Sequence, residues 1–151
     1  MSILCLLKDK KNIIDIIGFT LNPHSIVLEF AEMGDLNQYL QSETSKNITF
    51  EDKCKIGEDI ASSIQVLHSF EPKIVHRDIK SLNVLVTKLD PLTVKLSDFE
   101  TACFLPSHAI GKGVIDNPIW MAPELVTGIR FFFFLFTFSF YFFFIYFFFF
   151  F

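Results

Sequence analysis

The residues whose types can carry chemistry are concentrated between positions 76 and 124 of this 151-residue chain. The densest set is the run His76-Arg77-Asp78-Ile79-Lys80-Ser81-Leu82-Asn83. It brings an imidazole, a guanidinium, a carboxylate, an ammonium and an amide together within one short stretch. Such a set offers a proton acceptor beside groups that neutralise negative charge. The particular order and spacing of these five residue types rarely arise by chance in a chain of this length.

Two further motifs follow in the same direction along the chain. Asp98-Phe99-Glu100 comes first, and Trp120-Met121-Ala122-Pro123-Glu124 comes second. In order and spacing, the three motifs together resemble the eukaryotic protein kinase family, with its catalytic loop, its Asp-Phe-Gly motif and the motif that closes its activation segment. The resemblance covers residues 1–130. Trp120-Met121, and Ser81 after Lys80, are most similar to the tyrosine-kinase-like group of serine/threonine kinases.

The resemblance implies a phosphoryl-transfer site. Asp78 is expected to accept or orient the proton of the substrate hydroxyl, and Lys80 to lie against the γ-phosphate, as in enzymes with Ser/Thr substrates. Asn83 and Asp98 are expected to bind Mg²⁺, which takes few protein ligands and keeps several waters. The implied cofactors are therefore ATP and Mg²⁺, and the implied partner is a protein substrate with a Ser or Thr hydroxyl.

The resemblance also implies a nucleotide-binding segment earlier in the chain. Val27–Ala31 corresponds to the strand and hinge beside adenine, with Leu28 at the gatekeeper position and Leu85 forming the adenine floor. Asp35 is a candidate ribose contact, and a helix N-cap is the equally weighted alternative. The implied nucleotide contacts are Leu28, Glu29, Ala31, Asp35, Asn83 and Leu85.

Regulatory positions are implied as well. Arg77 is expected to pair with a phosphorylated residue of the activation loop, and the hydroxyls available for that modification before Trp120 are those of Thr101 and Ser107. His76 and Phe99 are predicted to be packing residues. Glu100 stands where the family has glycine. Its carboxylate is expected to swing outward to solvent, and capture of the metal ion is the alternative.

The elements that must position these residues follow from hydrophobic periodicity and turn signals. Thr49-x-x-Asp52 has the form of a capping box, and apolar residues recur after it at helical spacing. In chain order, the predicted elements are a helix end at Ser2–Leu7, strands at Asn12–Phe19 and Ser25–Phe30 around a turn at Asn22-Pro23, a short helix from Leu36 to Leu40, a long helix over residues 50–69, and a hairpin of Val84–Val86 and Val94–Leu96 turned at Asp90-Pro91. A loop is predicted from Asp98 to Pro123. The fold class is α+β: the end of a kinase small lobe, the hinge, and the first half of the helical large lobe.

Composition divides the chain into two units. Residues 131–151 contain 15 of the 21 Phe and no charge, whereas all 30 charged residues lie in residues 1–130. We predict a partial kinase domain over 1–130 and a Phe-rich low-complexity tail over 131–151. The tail is long enough to span a bilayer. Because nearly all its residues are within one base of a TTT codon, we favour a translated thymine-rich intron, with a hydrophobic membrane anchor as the alternative.

Charge and cysteine usage exclude other classes. The formal charge of −4 leaves no basic footprint for nucleic acid. The three cysteines form no Cys-x-x-Cys pair, and no signal peptide opens the sequence. We therefore expect three buried thiols, no nucleic-acid partner and a cytoplasmic location, with membrane association only if the tail is genuine.

Several kinase features have no match in this sequence: the glycine-rich loop, the lysine of the following strand, and the late large-lobe helices. We therefore expect a kinase-like fragment that is not competent for phosphoryl transfer as this chain alone. The alternatives are a pseudokinase or scaffold that binds partners without catalysis, and a truncated gene-model product with no stable function. The intact residues Asp78, Asn83 and Asp98 argue against the pseudokinase.

Overall fold

A computed structural model describes residues 3–105 of the chain. Within that range, helices alternate with three two-stranded antiparallel sheets, so the predicted α+β class is confirmed. The elements are α1 (Ile3–Leu6), β1 (Ile16–Leu21), β2 (His24–Leu28), α2 (Leu36–Gln41), a 3-10 helix at Glu43–Asn47, α3 (Phe50–His68), β3 (Ile74–Val75), a 3-10 turn at Ser81–Asn83, β4 (Val84–Leu89), β5 (Leu92–Leu96) and β6 (Cys103–Phe104).

The long helix α3 begins at the predicted capping box. The Thr49 hydroxyl accepts a hydrogen bond from the Asp52 N–H (3.1 Å), and the Asp52 carboxylate accepts one from the Thr49 N–H (2.9 Å). These bonds satisfy N–H groups that have no partner within the helix, and they lower the pKa of Asp52. One stripe of the helix, with Ile56, Ile60 and Leu67, is buried in the core.

Two β-hairpins follow the predicted turns. β1 and β2 pair on either side of residues 22–23, and β4 and β5 pair on either side of residues 90–91, with Val86 opposite Val94. The β4–β5 hairpin packs against α3, and Val84, Val86 and Leu96 are almost fully buried. This packed hairpin leads directly from residue 83 to residue 97.

The first strand differs from its prediction, because it begins at Ile16 and not at Asn12. Asn12 has a positive φ of 57°, and Ile13 forms an isolated parallel bridge with Leu96. The Leu96 N–H donates to the Asn12 carbonyl (2.8 Å), and the Ile14 N–H donates to the Leu96 carbonyl (3.0 Å). These apolar residues are therefore buried against β5 before β1 starts.

The predicted loop from Asp98 to Pro123 also requires a correction in its first part. Cys103–Phe104 forms strand β6, which pairs antiparallel with β3, so the chain returns to β3 after Asp98. Cys103 and Cys54 are only partly buried and Cys5 is exposed, so the prediction of three buried thiols is wrong. The remainder of that loop, Ser107, the motif at 120–124 and the tail over 131–151 lie outside the described residues. Within residues 3–105, no helix is both long and apolar enough to cross a bilayer.

Candidate active site

The centre of the site is the Asp78 carboxylate, which is held from two sides. Lys80 Nζ lies 2.7 Å from Asp78 Oδ2, and Asn83 Nδ2 donates to the same oxygen at 2.9 Å. Asn83 Nδ2 also donates to the Asp78 carbonyl at 2.8 Å. Three residues that the sequence predicted for one site are therefore in direct contact.

A tight turn produces this contact. The Asn83 N–H donates to the Lys80 carbonyl at 2.9 Å, which starts the 3-10 turn at Ser81–Asn83 and brings position 83 back toward position 78. The Lys80 and Asp78 side chains are 13% and 26% exposed, so their ion pair is partly shielded from water. Arg77, just before Asp78, adopts the left-handed conformation with φ of 71°.

Ser97 joins the turn to the end of β5. Its N–H and its hydroxyl both donate to the Asn83 carbonyl, at 2.8 and 2.9 Å. Asp98 follows directly, with φ of 60°, so the second carboxylate of the site is fixed next to the first turn. The sequence did not single out Ser97, because a serine before an aspartate carries no signal of its own.

His76 and Phe99 are packing residues, as predicted. Their rings meet edge to face with centroids 4.8 Å apart, and both side chains are buried. His76 Nε2 lies 2.9 Å from the Ser97 carbonyl, which can only accept, and the Asp78 N–H points to His76 Nδ1 at 3.3 Å. Burial lowers the pKa of His76. A neutral imidazole with its proton on Nε2 satisfies both contacts.

The oxygen atoms of Asn83 and Asp98 fit a hard divalent cation. Both N–H groups of the Asn83 amide are used on Asp78, whereas Oδ1 has no protein partner among the described residues. Asp98 is exposed, and within the same range its carboxylate makes no ion pair. Residues 3–105 contain no cluster of three or more His, Cys, Asp or Glu able to hold a metal. Mg²⁺ requires few protein oxygens, so the predicted pair of donors is compatible with it.

One of the predicted nucleotide residues shares a cavity with Asp98. Leu28 lines an open cavity of about 630 Å³ that Asp98 and Phe99 also line. The Glu29 carbonyl and the Ala31 N–H make no hydrogen bond among the described residues, so both are available to a planar base. Leu85 is half-buried on β4.

Asp35 had two predicted roles, a ribose contact and a helix N-cap, and the structure shows the second. Its carboxylate accepts a hydrogen bond from the Gln38 N–H at 2.9 Å and caps α2, so the N-cap role is observed. Its backbone also bridges to Leu85. A ribose contact through the second oxygen stays a prediction.

The predicted regulatory arginine contacts the chain after Phe99. Arg77 Nε donates to the Thr101 carbonyl, and the Thr101 hydroxyl donates to the His76 carbonyl at 2.9 Å. Arg77 and Thr101 are therefore brought together, and Thr101 is exposed. Glu100 is exposed at the rim of the same cavity as Leu28.

Comparison with known proteins defines the class to which this fold and site belong. The family model described as "Protein tyrosine and serine/threonine kinase" matches residues 1–140. The chain is a member of the protein kinase family, and its partial kinase-like α+β fold is thereby confirmed. The family generally uses ATP and Mg²⁺ and acts on proteins.

Individual proteins of known sequence are also similar to this chain. The chain is similar to two Dictyostelium discoideum proteins named "Probable serine/threonine-protein kinase", roco9 (38% identical over 117 residues) and roco5 (38% over 119 residues). It is also 32% identical over 123 residues to "Cyclic GMP-binding protein C" of the same organism. These alignments cover 76%, 78% and 80% of the chain, but only 3%, 4% and 5% of the relatives.

Proposed function

We propose that this chain carries the catalytic-loop part of a protein serine/threonine kinase, which transfers the γ-phosphoryl group of ATP to a protein hydroxyl with Mg²⁺. The observation that supports the proposal is the Asp78 carboxylate, held by both Lys80 and Asn83 and adjoined by Asp98 through Ser97. We also assign the chain to the tyrosine-kinase-like group and to the cytoplasm, on the sequence grounds given above.

The arrangement suggests a role for each side chain. Asp78 orients the substrate hydroxyl and accepts its proton as the new oxygen–phosphorus bond forms and the bond to the leaving ADP breaks. Lys80 neutralises negative charge next to the carboxylate. Asn83 Oδ1 and the Asp98 carboxylate would hold Mg²⁺, which would supply charge neutralisation at the phosphates.

The test is phosphate transfer by the native protein isolated from its source cells. Replacing Asp78 with Asn should reduce transfer of labelled phosphate from ATP to a Ser/Thr protein substrate by a factor of about 1,000 or more, because the proton acceptor is lost. Asp90→Asn, in the exposed turn of the β4–β5 hairpin, is the matched control and should have no effect. A native protein that binds Mg·ATP but transfers no phosphate would identify a pseudokinase instead.

A second experiment concerns the tail. We propose that residues 131–151 derive from a thymine-rich intron, because one residue type supplies 15 of their 21 positions. Transcripts sequenced across the codon for Arg130 should show a splice junction there, followed by sequence for a further large-lobe helix. Mature transcripts that retain the thymine-rich tract would contradict the proposal and favour the membrane anchor.

A further inference from the structure

Three charged side chains outside the phosphoryl-transfer site form a compact cluster. Lys95 Nζ lies 2.6 Å from Glu29 Oε2 and 3.5 Å from Asp15 Oδ2. The side chains of Lys95, Glu29 and Asp15 are 20%, 29% and 32% exposed. The cluster is therefore partly buried, and one cation serves two carboxylates.

The two acidic residues are also joined by two hydrogen bonds, one between their backbones and one from a backbone N–H to a carboxylate. The Glu29 N–H donates to the Asp15 carbonyl at 2.8 Å, and the Asp15 N–H donates to Glu29 Oε2 at 3.2 Å. Asp15 precedes β1 and Glu29 follows β2, so this pair closes the base of the first hairpin. Lys95 belongs to β5 and adds the link from that base to the second hairpin.

The cluster lies at the start of the connecting segment, defined as residues 29–35. Its far end is held on β4, because the Met33 N–H donates to the Val86 carbonyl (3.2 Å) and the Val86 N–H donates to the Gly34 carbonyl (2.9 Å). At its near end, the side-chain link to the second hairpin is the Lys95–Glu29 ion pair. The hydrogen-bonding groups left free on Glu29 and Ala31 lie between these two attachments.

Lys95 lies on β5, three residues before Asp98, which follows just after the end of that strand. Glu29 begins the segment predicted to contact adenine. The ion pair thus spans the two parts of the site that would hold opposite ends of one nucleotide. We propose that Lys95 is a positioning residue, which fixes the connecting segment relative to β5, the strand that leads to Asp98. Its effect on nucleotide binding rests on the proposed function.

Solvent access makes this link sensitive to salt. A charged cavity of about 560 Å³, lined in part by Asp15 and Lys95, opens beside the cluster. Ions can therefore reach the pair, and exposed or half-buried ion pairs weaken as ionic strength rises. A purely apolar contact would not show this dependence.

The test is hydrogen exchange of the 151-residue chain and its Lys95→Met variant, which preserves side-chain length and removes the charge. Exchange at the Glu29 and Asp15 amides should become faster by a factor of about 5 to 10, whereas the Met33 and Val86 amides should keep their wild-type rates. Lys88→Met is the matched control, since Lys88 is exposed on β4 and makes no ion pair among the described residues. In wild type, 1 M NaCl should reproduce the effect of Lys95→Met.

Equal exchange at Glu29 and Asp15 in the Lys95 and Lys88 variants would overturn the proposal. If Lys95→Met does not fold, Glu29→Gln removes the same ion pair from the other side and must give the same local acceleration. A fluorescent ATP analogue with Mg²⁺ then tests the consequence for binding: Lys95→Met should weaken its affinity by a factor of about 3 to 10. If wild type binds no analogue, the predicted nucleotide contacts of the connecting segment fail for this chain, whereas the exchange result still decides whether Lys95 fixes the segment.

Discussion

The two hairpins of this chain share a topology and differ in burial. β4–β5 buries Val84, Val86 and Leu96, each at 1% exposure or less. β1–β2 places Phe19 opposite Ile26, and these side chains are 74% and 60% exposed. Similar strand chemistry therefore gives a core element in one case and a surface element in the other. The difference arises from α3, which covers β5, whereas no described element covers the apolar face of β1–β2.

The largest expected effect compares one leucine from each hairpin. Leu96→Ala should reduce the free energy of unfolding by about 2 to 5 kcal/mol, because it leaves a cavity at a site that is 1% exposed. Leu21→Ala, at 73% exposure, should change it by less than about 0.5 kcal/mol. Chemical denaturation of both variants measures the difference. Equal losses would show that β1–β2 is covered in solution.

The next effect concerns how α3 holds the buried hairpin. Asp59 is 2% exposed, and its carboxylate accepts the Val94 N–H at 3.1 Å and pairs with Lys55. Asp59→Ala should lower the free energy of unfolding by about 1 to 3 kcal/mol, because the Val94 N–H loses its partner. Glu58→Ala, at the neighbouring exposed position, is the control and should be nearly neutral. A neutral Asp59→Ala would mean that water replaces the carboxylate.

Acid should weaken the packing at the end of β5. Burial lowers the pKa of His76 and also that of His68, where the nearby Lys73 adds to the effect. The unfolded chain then takes up protons first, so stability is complete above about pH 6.5 and falls as the pH drops below it, by at most about 1.4 kcal/mol per pH unit for each histidine. Denaturation at pH 7.5 and 5.5 should show this decline, and His76→Gln should reduce it. An identical decline in that variant would exclude His76 as the cause.

The smallest effect concerns the N-terminus of α3, the helix that covers β5. Thr49→Ala should lower the free energy of unfolding by about 1 kcal/mol, because the side-chain half of the capping box is lost. Thr49→Ser retains the hydroxyl and should keep most of the stability. A loss as large in the serine variant would point to the Thr49 methyl group, and not to the cap.

Local patterns explain which parts of this fold were predictable. The cap at Thr49 and the turn at Asp90-Pro91 depend on neighbours a few residues away, and both were confirmed. Strand β6 has only two residues, so its pairing with β3 leaves no periodic signal. The early part of the predicted first strand was wrong because Ile13 pairs with Leu96, 83 positions further along the chain.

The residues of the candidate site also divide into those that local sequence predicted and those that it missed. Asp78, Lys80 and Asn83 are close in sequence, and the motif that contains them is specific enough to identify all three. Ser97 and Lys95 were missed, because their importance comes from partners on other elements, the Asn83 carbonyl and the Glu29 carboxylate. Whether the predicted residues perform their assigned roles stays a prediction, which the Asp78→Asn experiment addresses.

The left-handed backbone at Arg77 has an evolutionary consequence. A side chain in this conformation costs about 1 to 2 kcal/mol relative to the right-handed region, and glycine escapes that cost. Selection for stability alone would therefore favour glycine at position 77, whereas a guanidinium beside Thr101 requires arginine. Position 77 therefore faces two opposed requirements, one from its backbone conformation and one from the contact with Thr101.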